Sequence, residues 1–514
     1  MAPGKPLHIG LPPRILRVVF GGAFLLLCFY VLVLRGWEWD DPSALPIPVI
    51  DDKSVQLGHP SFMDAWMYER ALPQHAKTPV SAKWRGQNGV DGNDGRRYLL
   101  IRDASWGSGW NNIFQEQLLN DYLSYISDRS YVFPSFMPVD HPPYPNKLPD
   151  GSEHQVHIPM NALVSGPTAG GPLRRDESDP IGRRAVSVEY WHIACPPERV
   201  HHIKLYDMQK ELGIDDDSQG DDRMLKWSRM LKALDAPCVS IDDGAVFNWM
   251  FIGGDKVMSI WPSYSLSPTM RNFAWSPMVV HALYRHYHLF SRSPAPTLVL
   301  PSGRQPYRMQ SFKRLYTAEH TIPGLLAIHV RRGDYENHCS FLADVGADYN
   351  AWDGFGTPGL KLPPVRSELI GPGPYNYQDP KLPDYLSTPE GMSRRDAAHA
   401  HCWPSQHAIV KRARQVRAGT STPGNMKSLF IATNGDKAWV AELAELLKAD
   451  GWSHVTSSHD IDLTKEEIAI SHAVDMAVMT AAQEFIGVGF SSMTSNVVQI
   501  RLGAGREANT CHFW

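Results

Sequence analysis

The densest chemistry in the chain is His329-Val-Arg-Arg-Gly-Asp334, followed directly by Tyr335 and Glu336. Adjacent guanidiniums present planar forks of donors that match phosphate oxygens. Asp334 can hold one arginine in place, His329 can donate to a phosphate or ribose oxygen, and Glu336 is near enough in sequence to act as a base. A second concentration is Gly487-Val-Gly-Phe-Ser-Ser-Met-Thr-Ser-Asn496, with Asp475 upstream and Arg501 downstream. There Ser491, Ser492 and Thr494 can donate to an anion alongside unpaired backbone amides. A third is Ser105-Trp-Gly-Ser-Gly-Trp-Asn-Asn112, in which Gly109 and Asn111 stand where a helix N-terminus could meet an anion. A solvated salt-bridge turn is the competing reading of the first stretch, and three charges with a His at a buried strand's end weigh against it. Ordinary capping explains the second and third equally well when each is taken alone.

These side chains need elements to hold them. Leu325 to Ile328 is an unbroken apolar run after Pro323-Gly324, the pattern of a strand buried on both faces of a parallel sheet. Gly333 lets the backbone turn sharply at its end. Arg97 to Ile101 reads as another strand, and Phe114, Leu118, Leu119, Tyr122 and Leu123 recur at helical spacing after the glycine turn. Tyr131–Phe133, Ser428–Ala432, His454–Thr456 and Glu484–Gly487 are further strands. Helices are expected over Ser61–Leu72, Met278–Leu289 and Trp439–Leu447, and one helix is expected from the capping box Thr464-Lys-Glu-Glu467 through Met479. Strands alternating with helices predict parallel βαβ units, hence an α/β chain whose C-terminal domain reads as Rossmann-like without a GxGxxG fingerprint. Ligands of such sheets sit at the carboxyl ends of the strands.

At 514 residues the chain is long enough for two domains. Its 43% hydrophobic and 20% charged residues exclude a disordered chain, and a formal net charge of −4 argues against a nucleic-acid partner. The apolar run 18–34 is at the lower limit for crossing a bilayer core of about 30 Å. Lys5, Arg14 and Arg17 precede it and Glu38, Asp40 and Asp41 follow, so the charge bias predicts a single-pass type II anchor. A cleaved signal peptide and a buried helix are the alternatives. The expected layout is a cytosolic tail over 1–17, the anchor over 18–34, a stem over 35–95, an N-terminal domain over 96–300 and a C-terminal domain over 301–514. An insertion rich in Gly, Pro and Asp interrupts the last over 340–400. Outside the anchor five cysteines remain: Cys195 with Cys238 and Cys339 with Cys402 are reasonable pairs in an oxidising lumen, with Cys511 left over. No His/Cys cluster has metal-ligand spacing, so no metal is expected. Pro159–Pro172 reads as a loop over a site, and Ile214–Asp217 with Asp221-Asp222 as a solvated acidic loop.

The run His-Val-Arg-Arg-Gly-Asp resembles the His-x-Arg-Arg-x-Asp motif of GDP-fucose-using transferases, the superfamily of protein O-fucosyltransferases and α1,6-fucosyltransferases. The glycine-rich turn with Asn111 resembles that family's first motif, and Asp475, a helix, Phe485-Ile-Gly487 and Ser491-Ser492 resemble its last. The three occur in family order across roughly Arg97 to Leu502. The resemblance implies a GT-B fold with two Rossmann-like domains facing a cleft. It also implies inverting transfer of fucose from GDP-fucose to a protein or glycan acceptor in the Golgi or endoplasmic reticulum, with no cofactor and no metal. It implies that Arg331 stabilises the departing β-phosphate and that Asn111 belongs to the catalytic set. Gly109, His329, Arg332, Asp334, Asp475, Ser491, Ser492, Thr494 and Arg501 would hold the donor. Ser108 stands where some members carry a Glu as base, and the offset of Glu336 matches none of the family's glutamates, so the base is open. Two alternatives stand beside this reading: a binding protein on a transferase scaffold, and a transferase using another nucleotide sugar.

Overall fold

The computed structural model describes residues 60–75, 95–102, 109–136, 146–147, 153–154, 157–173, 181–295, 321–333, 335–356 and 391–514. All of them fall in one compact unit, Val49–Trp514. The expected anchor at 18–34, Ser108 and Asp334 lie outside the described residues. No helix among the described residues is long and apolar enough to cross a membrane.

Two five-stranded sheets organise these residues. The first comprises β1 (Tyr98–Ile101), β2 (Ser130–Phe133), β3 (Val186–Ser187), β4 (Val200–Lys204) and β5 (Cys238–Asp242), in the order β3-β2-β1-β5-β4. The second comprises β6 (Ile322–Val330), β7 (Ser428–Thr433), β8 (His454–Ser457), β9 (Ala482–Gly487) and β10 (Cys511–Phe513), in the order β8-β7-β6-β9-β10. Every pairing in both sheets is parallel. The strand order of the second sheet reverses at β6, which places a topological switch point, and hence a crevice, at the carboxyl end of that strand. β6 sits in the middle of its sheet, and seven of its nine residues form an unbroken buried run from Gly324 to Val330. Continuous burial is why its sequence shows no alternation.

The helices that bear on the site and its supports include α1 (Phe62–Arg70), α2 (Trp110–Ile126), α3 (Gly220–Ala233), α4 (Pro277–Arg285), α5 (Tyr335–Asp344), α6 (Arg394–Cys402), α7 (Lys437–Ala449), α8 (Lys465–Ala469), α9 (Ser471–Ala481) and α10 (Ser492–Gly503). Polar bonds tie the halves together. Gln115 of α2 donates to Ser495 Oγ of α10 at 2.7 Å, and Asn496 Nδ2 donates to the backbone oxygen of Asn111 at 2.8 Å and to its Oδ1 at 3.1 Å. Arg285 forks onto Glu467 with two bonds of 2.9 Å. α1 straps across both halves, from Phe62 N–H on Glu466 at one end to Glu69 accepting from Asn161 at the other.

Several expectations need correction. The helix expected from Thr464 is two, because the backbone leaves helical geometry at Ile470; the capping box itself is present. Asp221 and Asp222 are not loop residues but the first turn of α3, where carboxylates complement the helix dipole. Pro159–Pro172 is packed into the core and does not line the cavity described below; Gly166, at φ +97°, lies so close to Asn272 that a Cβ would meet its carbonyl oxygen at 2.5 Å. The segment 340–400 is not a free insertion in its described parts. Asn350 N–H donates to Gly489 O at 2.7 Å, Trp352 N–H to Ser495 Oγ at 3.2 Å, and the Trp352 ring stacks against Tyr264. Cys339 pairs with Cys402 and Cys195 with Cys238, while Cys511 is a buried thiol.

Arg501 is the largest departure. It is fully buried, far from a phosphate role, and its guanidinium donates to the carbonyls of Met479, Ala482, Gln483 and Thr510. Those carbonyls lie at the carboxyl end of α9, at the start of β9 and just before β10, so one side chain closes three element ends. Replacing Arg501 with Met leaves these acceptors unsatisfied, and is expected to destabilise the fold by about 3 kcal/mol or more. Denaturant unfolding measures this, and the same substitution should leave ligand contacts in the surviving folded fraction intact.

Candidate nucleotide-binding site

The turn after β6 decides which side chain enters the crevice. Asn434, just past β7, grips the backbone of Arg332 from both sides: its Oδ1 accepts from Arg332 N–H at 2.8 Å and its Nδ2 donates to Arg332 O at 3.0 Å. Gly333 follows at φ +71°, the left-handed turn expected of a glycine there. The two arginines then diverge. Arg332 turns inward, sandwiched between the rings of Trp403 and Trp439 at 4.3 and 4.4 Å, and donates to Pro404 O. Burial pulls its pKa down to about 10, which the nearby Glu336 partly offsets. Arg331 goes the other way and lines a cavity of about 580 Å³, with its guanidinium 5.3 Å from the Tyr335 ring. The expectation of a paired phosphate clamp therefore becomes one arginine in the cavity and one in the scaffold.

The cavity opens at the carboxyl ends of β6, β7 and β8 and is walled by α9 and the start of α10. His329, Arg331, Thr433, Asn434, Lys437, Ser458, His459, Asp462, Ser471, His472, Asp475 and Met493 supply its polar wall and part of the rest. His329 is locked from behind. Thr494 Oγ1 accepts from Val488 N–H at 3.2 Å and lies 2.9 Å from His329 Nδ1, which fixes the orientation of the ring. Burial holds the His329 pKa near 3, with the Arg331 charge adding to the effect, so the ring is neutral at physiological pH. Thr494 itself is fully buried and serves His329 rather than a ligand. Gly487 makes this possible, because a Cβ there would fall 2.2 Å from Thr494 Cγ2.

Asp475 lies on α9 one turn beyond His472, and Ser458 Oγ donates to its Oδ2 at 2.8 Å. Burial raises its pKa to about 7, with that hydrogen bond opposing the shift. Burial likewise lowers His472 to about 4. Lys437, at the first position of α7, is exposed at the rim and adds a second cation. Ser491 caps α10 without using its side chain, Ser492 begins the helix, and Met493 carries its first turn to the cavity wall. Glu336 is exposed and Gly109 and Asn111 do not line the cavity; Asn111 is engaged with Asn496 instead. Lys437, Ser458, His459 and His472 escaped the sequence reading. Their one legible signal is position, since Lys437, Ser458 and His459 fall just after predicted strands. No group of three or more potential metal ligands occurs among the described residues.

Neither protein-family models nor curated proteins match this chain. Solved structures do. POFUT1 in complex with GDP-fucose is 14% identical with a TM-score of 0.45, covering 81% of this chain and 97% of that one. POFUT1 in complex with GDP is 15% identical with a TM-score of 0.46, covering 82% and 99%. A mutant of Arabidopsis thaliana FUT1 in complex with GDP is 11% identical with a TM-score of 0.33, covering 86% and 77%.

The divergence of the arginines predicts opposite phenotypes. Arg331→Ala should abolish ligand affinity with the melting temperature kept, whereas Arg332→Ala should lower the melting temperature, because it empties the slot between two tryptophans. Asp475 predicts a pH effect of definite sign. A carboxyl raised above its ordinary value of 3.8 costs stability once it must ionise, so the cost is absent below about pH 4 and fully present above about pH 7. Asp475→Asn should therefore melt above the parent at pH 8 and together with it at pH 4, as calorimetry at the two pH values would show.

Proposed function

We propose that this cavity binds a nucleoside diphosphate sugar and that the protein is a glycosyltransferase, with GDP-fucose as donor. One observation carries the reading: His329 and Arg331, at the end of β6, and Asp475, from the distant helix α9, converge on one cavity at the switch point of a parallel sheet. A fixed guanidinium, a neutral imidazole N–H and the first turn of a helix form a donor-rich site for a diphosphate. The identity of the nucleotide and sugar rests on the motif resemblance. The two-sheet plan with a cavity at the carboxyl ends of the strands of one sheet is the one expected of a GT-B enzyme.

In the proposed reaction an acceptor hydroxyl attacks the anomeric carbon as the bond from that carbon to the β-phosphate oxygen breaks. The sugar is inverted and GDP leaves. Arg331, with Lys437 nearby, takes the charge that builds on the phosphate. Glu336, the base candidate in the sequence, is exposed and does not line the cavity. The acceptor, a protein or glycan, would approach from the N-terminal half. The type II anchor and a Golgi or endoplasmic reticulum location remain part of the proposal, and two disulfides suit that oxidising compartment.

Thermal-shift titration of the purified chain against GDP-fucose, UDP-sugars and other GDP-sugars tests this. GDP-fucose is expected to give the largest stabilisation, unchanged by EDTA, and to be turned over slowly to GDP and fucose. A larger shift with a UDP-sugar would overturn the donor, and binding without turnover in the presence of candidate acceptors would favour a binding protein.

A further inference from the structure

His472 lines the cavity but has no counterpart in the motifs that suggested the donor. Its ring lies 4.8 Å from that of Trp110, the first residue of α2, and 6.5 Å from Phe136. Both rings belong to the N-terminal half. α2 follows β1, so its first turn marks the carboxyl edge of the first sheet, and Asn111 is the next residue. Here the cavity of the C-terminal half meets the face from which an acceptor would come.

The nitrogens of this ring are unequal. Nε2 is enclosed and has no hydrogen-bond partner among the described residues. An enclosed N–H without an acceptor costs more than an enclosed lone pair, so the proton belongs on Nδ1. Nδ1 is then the ring's donor on the accessible side, uncharged and held in orientation by the Trp110 and Phe136 rings. Asp475, one turn further along α9, is already engaged by Ser458 on the side of β8. The helix thus presents two polar groups in series, one deep within the C-terminal half and one at the junction with the other half.

We propose that His472 donates through Nδ1 to an oxygen of the transferred sugar, and so helps decide which sugar the donor carries. The inference rests on the nucleotide-sugar reading above. A sugar that must meet an acceptor across the cleft has to lie at the junction, and a neutral donor fits a hydroxyl or ring oxygen better than a phosphate, which Arg331 serves.

The test separates the sugar from the nucleotide. Affinities for GDP and for GDP-fucose are measured by calorimetry on the parent chain, on His472→Phe, which keeps a ring against Trp110, and on His472→Asn, whose amide can restore the donor. For His472→Phe the expected result is a roughly tenfold loss for GDP-fucose, about 1.4 kcal/mol, with GDP unchanged. His472→Asn is expected to recover part of that loss. An equal loss for both ligands would place His472 on the nucleotide and overturn the proposal, as would no loss for either. Unchanged GDP binding also shows that the variant is folded. A parent chain that binds neither ligand would instead overturn the nucleotide-sugar reading itself.

Discussion

The backbone clamp of Asn434 on Arg332 is the contact on which the site depends. Two parallel strands, β6 and β7, end side by side, and one amide side chain joins the turns that leave them. Arg332 is pinned at both its N–H and its carbonyl, so the direction of each neighbouring side chain is fixed. Arg332 falls into a slot between two indoles and becomes part of the framework. Arg331 has the cavity left to it. Guanidinium pairs read from sequence as equivalent are made inequivalent by one hydrogen-bonded turn.

Other parts of the site follow the same logic of support from behind. His329 is neutral because it is buried and oriented because Thr494 lies against its Nδ1, and Thr494 can approach only because Gly487 has no side chain. The carboxyl end of α9 and the starts of β9 and β10 are held by Arg501, which is why a residue expected at a phosphate is instead buried beneath the site. The ties between Gln115 and Ser495 and between Asn111 and Asn496 set the two halves against each other, and Trp110 and Phe136 of one half pack against His472 in the cavity wall of the other. The proposed chemistry needs this division, with the donor held on one side and the acceptor admitted from the opposite side.

Much of this was legible before any coordinates. The buried run before His329, the glycine turn after Arg332, the strand at Ser428 and the capping box at Thr464 all declare themselves through apolar runs and turn chemistry, which are local signals. β4 does not, because an edge strand with His201, His202 and Lys204 exposed carries no apolar pattern; β3 and β10 are only two and three residues long, and Ser240 interrupts the apolar residues of β5. The roles of Arg332, Thr494 and Arg501 were also out of reach. A donor beside a strand end looks the same in sequence whether a ligand or a carbonyl occupies it, and tertiary contacts choose. Tyr349 and Trp352 show the reverse error, since a stretch poor in periodicity still packs through its aromatic side chains, Tyr349 against Phe490 and Trp352 against Tyr264.

The claim at the centre of this account is that the crevice beside Arg331 is a diphosphate site. Titrating GDP and guanosine separately into the purified chain at two salt concentrations tests it most directly. The account predicts that GDP binds at least a hundredfold more tightly than guanosine, about 2.7 kcal/mol, and that the gap narrows as salt is raised. Equal affinity for the two, or a gap indifferent to salt, would contradict it.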